Sequence, residues 1–252
     1  MVAFDDGPPL VLDLGTGLRP LGDVLAAAGD GQREVTALLT HLHWDHVIGL
    51  PFFQPLLQPG GRMTVYGPPQ ESGSLDELID QVVQPPFFPV QVQQLHGSVD
   101  FREVADDTLY IGQTKVVVRR VPHLGTTLGF RIEADGASLA YIPDHQAPPD
   151  HRGVADGVLE LADGVDLLVH DAQYSDEEFV GKVDWGHSTV RYAVHVAAEA
   201  GARRLALFHH DPAHDDDHID RAVDAAGAMA QAGRLDVVLA AAEGLALDPT
   251  GA

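Results

Sequence analysis

The stretch Thr40-His41-Leu42-His43-Trp44-Asp45-His46 places four potential metal ligands within six residues. It follows Val35–Leu39, an apolar run typical of a buried strand. If the backbone stays extended, His41 and His43 point the same way, because side chains of a strand alternate with period two. A turn or helix would then bring Asp45 and His46 to a second point nearby. Nitrogen and oxygen donors without sulfur suit zinc, manganese or iron, so we favour a metal site over a polar loop whose histidines cap a helix.

Other apolar runs also lead to histidine or aspartate near their carboxyl ends. The runs Val116–Val118, Leu139–Ile142, Val165–Val169 and Leu205–Phe208 are followed by His123, Asp144, His170-Asp171 and His209, respectively. In layered α/β folds, functional groups gather at this edge of the sheet. We therefore expect one site built from several distant segments.

The hydrophobic pattern predicts an α/β layered fold with a mixed sheet. Predicted strands are Leu10–Leu14, Val35–Leu39, Met63–Tyr66, Thr114–Val118, Leu128–Ile132, Ser138–Ile142, Val165–Val169, Leu205–Phe208 and Asp236–Ala240. Asp135-Gly136 predicts a hairpin turn between two of them. Predicted helices are Leu21–Ala28, Ser74–Val83, Thr189–Ala200, closed by Gly201, and His218–Ala232.

Composition narrows the functional classes. The 252 residues are 45% hydrophobic and 21% charged, as in ordinary globular proteins, and no linker divides them, so we expect one domain over 1–252. The net charge of −23 disfavours nucleic-acid and membrane partners, because both are anionic. Cysteine is absent, which excludes disulfides and thiolate ligands. Without a long apolar stretch or a basic start, the sequence predicts a cytoplasmic protein.

The histidine-rich stretch resembles the His-x-His-x-Asp-His signature of the metallo-β-lactamase superfamily. Asp13 matches the early structural aspartate of that family, and His123, Asp144 and His209 match its later metal-binding positions. The resemblance implies a four-layer αββα fold of two mixed sheets flanked by helices. It further implies two divalent ions, zinc first with manganese or iron as alternatives. The implied ligands are His41, His43 and His123 for one ion and Asp45, His46 and His209 for the other, with Asp144 bridging and Asp45 also catalytic.

Two downstream motifs resemble loops of the ribonuclease Z group within this superfamily. His170-Asp171-Ala172-Gln173 is similar to its His-Glu-Ala-Thr loop, and Gly186-His187-Ser188-Thr189 to its His-Ser-Thr loop. The resemblance implies a metal-bridging hydroxide as nucleophile and His187 as general acid, oriented by Asp171.

The chain also departs from ribonuclease Z. Only 20 residues separate His123 from Asp144, and the predicted hairpin fills them, which leaves no room for the basic tRNA-binding arm common in that group. Together with the acidic charge, this favours a small anionic substrate, most naturally a cyclic phosphodiester. Pro143-Asp144-His145 replaces the usual Gly-Asp-Thr. The usual first strand is not found before Leu10, so we expect that either the true start lies upstream or one sheet edge is trimmed.

Several histidines and aromatic residues admit more than one interpretation. His210 competes with His209 for the last ligand position, and the roles of His145 and His170 stay open. His214 and His218 share a helix face, where a solvated acidic helix start is favoured over a peripheral metal site. Trp44 is expected to be a packed aromatic rather than the floor of a base-binding pocket. His96, His151 and His195 are expected to be structural, whereas Leu56–Leu57 and Phe87–Phe88 would cover the site or form a homodimer contact.

Two other functions compete with phosphodiester hydrolysis. The same ions could polarise the carbonyl of a lactone, thioester or β-lactam, a reaction that does not need the His187 loop. The non-enzymatic alternative is a ligand sensor that keeps the fold but has no turnover. Such a sensor would be expected to have lost some of the metal-ligand residues, and all of the matching positions are retained in this sequence. An oxygen-reducing di-iron role is disfavoured, because relatives with that chemistry carry glutamate where this chain has His43.

Overall fold

The computed structural model describes residues 1–4, 8–27, 34–230 and 235–251. The chain forms two compact units, Met1–Ala105 and Asp106–Ala252. Each contains one large sheet and its own buried hydrophobic cluster. The predicted α/β class, with two sheets flanked by helices, is confirmed.

The first unit contains a four-stranded sheet of order β1-β2-β3-β4. Its strands are β1 (Leu10–Leu12), β2 (Glu34–Leu38), β3 (Arg62–Gly67) and β4 (Ser98–Glu103), with helices α1 (Leu18–Ala27), α2 (Trp44–Val47) and α3 (Leu75–Val82) between them. Three short 3-10 helices occupy Leu50–Phe52, Gln54–Leu57 and Val92–Gln94. All four strands pair in parallel, where two mixed sheets were expected. The reason is that helical segments cross over between successive strands, which returns the chain in the same direction.

The second unit contains a seven-stranded mixed sheet of order β11-β10-β9-β8-β7-β6-β5. Its strands are β5 (Asp107–Ile111), β6 (Thr114–Arg120), β7 (Leu128–Ala134), β8 (Ala137–Ile142), β9 (Leu167–Asp171), β10 (Arg204–Phe208) and β11 (Val237–Ala240). Strands β8 to β11 are parallel and β5 to β8 antiparallel. The helices are α4 (Asp156–Ala162), α5 (Asp176–Phe179), α6 (Val190–Ala200) and α7 (Asp216–Ala230).

The hairpin predicted at Asp135-Gly136 joins β7 to β8. Asp135 and Gly136 have φ values of 52° and 78°, and positive φ at both central residues is the geometry of a type I′ turn. The hairpin lies between His123 and Asp144, as the sequence predicted.

All nine predicted strands are present, with bounds shifted by up to two residues, but β4 and β5 were missed. Both missed strands are partly exposed along their length and carry charged or polar residues at alternate positions, so neither forms a continuous apolar run. The short helices α4 and α5 were also missed. The predicted helix ends Ala28 and Ala232 lie outside the described residues.

The carboxylate of Asp166 links β8 to the segment that enters β10. It accepts hydrogen bonds from the Ser138 backbone N–H at 2.9 Å and hydroxyl at 2.8 Å, and pairs with Arg203 at 3.2 Å. Burial opposes ionisation of this carboxyl, but the bonds from Ser138 and Arg203 prevail and lower its pKa. Among the residues with described structure, no helix combines the length and the apolar character that a membrane crossing requires.

Candidate metal-binding and catalytic residues

The histidine-rich motif of the first unit begins extended and then turns into a helix, as predicted. Residue His43 has φ −62° and ψ 151°, and α2 begins at the next residue. The rings of His41 and His43 are 4.4 Å apart between centroids, and those of His41 and His46 are 4.1 Å apart. Asp45 Oδ2 lies 3.2 Å from His46 Nε2. The four motif residues therefore form one cluster of imidazole and carboxylate donors.

Asp13 orients this cluster from behind. Its buried carboxylate accepts hydrogen bonds from the Thr40 backbone N–H at 2.7 Å, the Thr40 hydroxyl at 2.9 Å and His46 Nδ1 at 2.9 Å. His41 Nδ1 in turn lies 3.0 Å from the Thr40 hydroxyl. These contacts place a proton on Nδ1 of both histidines, so that Nε2 carries the lone pair. Metal-binding histidines are commonly held in this way.

Two glycines permit the loop after β1 to touch the motif. The backbone N–H of Leu14 donates to the His46 carbonyl, and that of Gly49 donates to the Leu14 carbonyl, both at 2.8 Å. A Cβ atom on Gly15 would lie 2.3 Å from the Asp45 carbonyl oxygen, and one on Gly49 would lie 1.9 Å from the Gly15 carbonyl oxygen. Only glycine fits such distances, so these residues serve the packing of the motif.

In the second unit, three imidazoles surround the buried carboxylate of Asp144. Oδ2 lies 3.7 Å from His123 Nε2, 3.6 Å from His209 Nε2 and 3.9 Å from His187 Nδ1. Asp144 follows β8, and His209 follows β10 with a φ of 58°, a left-handed conformation that is uncommon for a residue other than glycine. Asp144, His187 and His209 each bring one possible ligand atom within 4.8 Å of the others.

The orientation of His123 depends on Gly186, which sequence reasoning missed as a site residue. His123 Nδ1 donates to the Gly186 carbonyl oxygen at 2.6 Å, which leaves the Nε2 lone pair on the Asp144 side. A Cβ atom at Gly186 would lie 2.6 Å from the His123 ring, and the φ of Gly186 is +95°. The position of Gly186 directly before His187 in the sequence could have indicated that it belongs to the site.

Asp171 holds His187 and three backbone groups at once. Its Oδ2 lies 2.9 Å from His187 Nδ1 and accepts the His145 backbone N–H at 3.0 Å. Its Oδ1 accepts the backbone N–H groups of Gln173 at 3.0 Å and Ser188 at 3.2 Å. The carboxylate is fully buried. The His187 ring is therefore fixed with a proton on Nδ1, directed at Asp171.

The structure gives His145 and His170 a supporting position behind this pair. His170 Nδ1 donates to the Asp171 carbonyl at 2.7 Å, and His145 Nδ1 lies 2.9 Å from His170 Nε2. Burial lowers the pKa of His145 well below its usual value, and the neighbouring His170 and His123 lower it further. Burial also lowers the pKa of His170. Both rings are therefore held neutral, which suits a hydrogen-bonded pair of imidazoles.

Two expectations about apolar residues were wrong. Trp44 is 66% exposed rather than packed, because it is the first residue of α2 and faces outward. It lines an apolar groove of about 290 Å³ together with other side chains of the first unit, namely Val47, Ile48, Pro51, Phe52, Val82, Val83, Phe87 and Phe88. Leu56 is fully buried in the core of that unit, since its 3-10 helix turns it inward, so it can neither cover a site nor form a dimer contact.

The donors present fit divalent cations. Of the seven predicted ligands, His41, His43, Asp45 and His46 lie in the first unit and His123, Asp144 and His209 in the second. Nitrogen and carboxylate oxygen donors suit zinc, manganese and iron. Three of the histidines direct Nδ1 to a protein acceptor, as expected when Nε2 is the ligand atom.

Comparison with known proteins agrees with these observations. Residues 21–210 match the family described as Beta-lactamase superfamily domain. The chain is 30% identical to the ribonuclease Z of Haloferax volcanii, over 81% of this chain and 76% of that protein. Two solved structures share the fold. The metallo-beta-lactamase fold protein YhfI from Bacillus subtilis has a TM-score of 0.64 and 18% identity, over 96% of this chain and 91% of that one. A diphosphatase of the PhnP family has a TM-score of 0.65 and 20% identity, over 96% of this chain and 81% of that one. The chain therefore belongs to the beta-lactamase superfamily and is a hydrolase of that metal-dependent group.

Proposed function

We propose that this hydrolase cleaves a small, cyclic phosphodiester, with His187 as the general acid and Asp171 as its positioning residue. The observation that carries the proposal is the 2.9 Å contact between His187 and the buried Asp171, beside Asp144 and His209. Hydrolysis of a phosphodiester expels an alkoxide, which needs a proton. A carbonyl hydrolase of this superfamily does not require a second acid of this kind.

The seven predicted ligands would hold two divalent ions in this proposal, with zinc as the first candidate and manganese or iron as alternatives. Bound ions would supply a nucleophile at neutral pH and neutralise charge on the phosphoryl oxygens. Asp45 and Asp144, as carboxylate ligands, would balance the charge of the cations.

In this proposal, His187 and Asp171 bind and transfer the proton that the leaving oxygen needs. His187 receives a second proton on Nε2, stabilised by Asp171 on the opposite side of the ring. It donates that proton to the oxygen that leaves phosphorus, because a positioned acid prevents release of a bare alkoxide. The three backbone N–H groups on Asp171 keep the carboxylate in place throughout.

The interval between His123 and Asp144 supports a small substrate. It is filled by the β7–β8 hairpin, so this interval carries no basic arm of the kind expected for tRNA. The curated relative from Haloferax volcanii is named for a ribonuclease, which cleaves phosphodiesters. A net charge of −23 disfavours a polyanionic substrate over a small one.

A substrate panel tests the proposal. The purified 252-residue protein, loaded with Zn²⁺ or Mn²⁺, is assayed on 3′,5′- and 2′,3′-cyclic nucleotides, bis(p-nitrophenyl) phosphate, a lactone, a thioester and a cephalosporin. We expect turnover of the phosphodiesters and loss of turnover in Asp144→Asn, whereas His96→Gln, an exposed histidine outside both clusters, keeps it. Turnover of a carbonyl substrate alone, or of none of the panel, would refute the proposal.

A further inference from the structure

We propose that Glu178, His214 and His218 form a second, peripheral site for a divalent transition-metal ion such as Zn²⁺. None of these residues belongs to the predicted catalytic ligands. Each offers one donor atom, and these atoms all lie within 4.8 Å of one another. The sequence predicted that His214 and His218 share a helix face, but α7 begins at Asp216, so His214 lies just before the helix. The sequence did not reveal Glu178, which lies 36 positions before His214.

Glu178 is held in position by the start of α5. Its Oε2 accepts hydrogen bonds from the Ser175 backbone N–H at 2.8 Å and hydroxyl at 2.9 Å, which completes a capping box. Its Oε1 faces His214 Nε2 at 2.9 Å. One oxygen therefore anchors the side chain while the other faces the histidines.

The two histidines are also held by their own backbone. The Asp211 carboxylate accepts the Ala213 N–H at 2.9 Å, and the Asp211 carbonyl accepts the His214 N–H at 2.9 Å, which fixes the turn before α7. Asp215 accepts the His218 N–H at 2.8 Å and so caps the helix. His214 lies just before the helix and His218 lies in its first turn, and their rings are 3.7 Å apart between centroids.

The two rings and the Glu178 carboxylate lie close enough to share one cation. The imidazoles of His214 and His218 stack at 3.7 Å between centroids and 10° between planes. Because the lone pairs lie in the ring planes, the rings must rotate out of this stack to direct both nitrogens at one ion. Burial raises the pKa of Glu178, but hydrogen bonds from His214 and Ser175 outweigh it and bring the pKa to about 2, so the carboxylate is ionised at neutral pH. Two imidazole nitrogens and one carboxylate oxygen are a donor set typical of zinc.

A cavity beside the cluster gives access to the ion and room for water. It has a volume of about 300 Å³, and His214 and His218 line it together with His210. Three protein donors with an open side would let water complete a tetrahedral shell. The three donor atoms lie within 4.8 Å of one another, with 2.9 Å between Glu178 Oε1 and His214 Nε2, and rotation of the side chains would bring them to the roughly 2 Å bonds of zinc.

Occupation of this site would join two segments next to the proposed acid. Helix α5 lies between Asp171 and His187, whereas His214 follows His209 by five residues. A cation held by both segments would cross-link them, and it would stabilise the second unit by binding only the folded state.

Zinc stoichiometry tests the proposal on the full chain. The wild type, His218→Ala and Glu178→Gln are stripped with chelator, loaded with Zn²⁺ at pH 7.5 and passed over a desalting column. Metal content is then measured by mass spectrometry. We expect each variant to retain about one zinc ion fewer per chain than the wild type. We also expect a smaller Zn²⁺-induced rise in Tm.

The controls separate this site from the catalytic one. Asp217→Asn removes an exposed charge from the first turn of α7 without removing a donor, and it should keep the wild-type zinc content. Glu178→Gln can still bond to Ser175, so it guards against a result caused by misfolding. A chain without catalytic metal would still differ from its variants by one ion. Equal zinc content and equal Tm shifts in the wild type and both variants would overturn the proposal.

Discussion

The replacement His187→Ala gives a direct test of the proposed acid. Its side chain is 13% exposed and its Nδ1 lies 2.9 Å from Asp171 Oδ2. General acid catalysis is worth about 10²–10⁴ in rate, or roughly 3–5 kcal/mol of barrier. Asp171 keeps its three backbone donors after the replacement, so we expect a loss of only about 1 kcal/mol in unfolding free energy.

The assay compares two leaving groups. A cyclic nucleotide releases an alkoxide that needs the proton of His187, whereas bis(p-nitrophenyl) phosphate releases a stabilised nitrophenolate that does not. We expect kcat on the cyclic nucleotide to fall by about 10²–10⁴, and kcat on the nitrophenyl ester to fall by less than about tenfold. Both are measured at saturating substrate with equal metal content.

An equal fall on the two substrates would show that His187 does not act as the acid. A fall that tracks the metal content of the variant would instead make His187 a metal ligand through Nε2, since Nδ1 is held by Asp171. Asp171→Asn gives an independent check, because it leaves His187 in place but weakens its orientation. We expect the same dependence on the leaving group in that variant.

Three further replacements test the supporting contacts. Gly186→Ala places a Cβ 2.6 Å from His123 at a φ of +95°. Urea unfolding should therefore show an unfolding free energy lower by about 1–3 kcal/mol. An unchanged urea midpoint would contradict the close packing at this position. Asp13→Ala leaves buried donors, including His46 Nδ1, without their acceptor. We expect the unfolding free energy to fall by about 3–5 kcal/mol and the metal affinity, measured by chelator competition, to fall about 10–100-fold. A normal metal affinity would count against the orienting role of Asp13. Asp166→Asn should destabilise the protein by about 1–3 kcal/mol at pH 7. Folding lowers the pKa of Asp166, so its contribution to stability is present above the unfolded pKa of 3.8 and is lost as the pH falls through the folded pKa. The difference in unfolding free energy between wild type and variant should therefore shrink below about pH 4. A difference that stays constant with pH would refute this role of Asp166.

The sequence predicted the fold class because buried parallel strands leave a clear mark. Leu205–Phe208 is apolar throughout and Val35–Leu39 is apolar except for Thr36, since both faces of their strands are covered. The turn at Asp135-Gly136 was also predictable, because its positive φ values restrict the residues that can occupy it. Strands β4 and β5 lacked such a mark, since their exposed positions carry charged and polar side chains.

Burial of individual side chains was harder to predict. Trp44 was expected inside and is exposed, and Leu56 was expected at the surface and is buried. Both depend on where a short helix begins, and a shift of one residue turns a side chain by about 100°. Periodicity over so few residues cannot fix that phase.

Some residues of the candidate site could be predicted from the sequence, and others only from the structure. The ligand motif was evident from the sequence, because a metal site needs particular donors at short spacing, and Asp45 and His46 follow His41 and His43 within five positions. Only the tertiary structure could reveal that Gly186 supports His123 or that Glu178 faces His214, since these pairs are 63 and 36 residues apart. Local sequence carries the chemistry of each side chain, whereas contacts between distant segments arise only when strands and helices pack, and that packing depends on the whole chain at once.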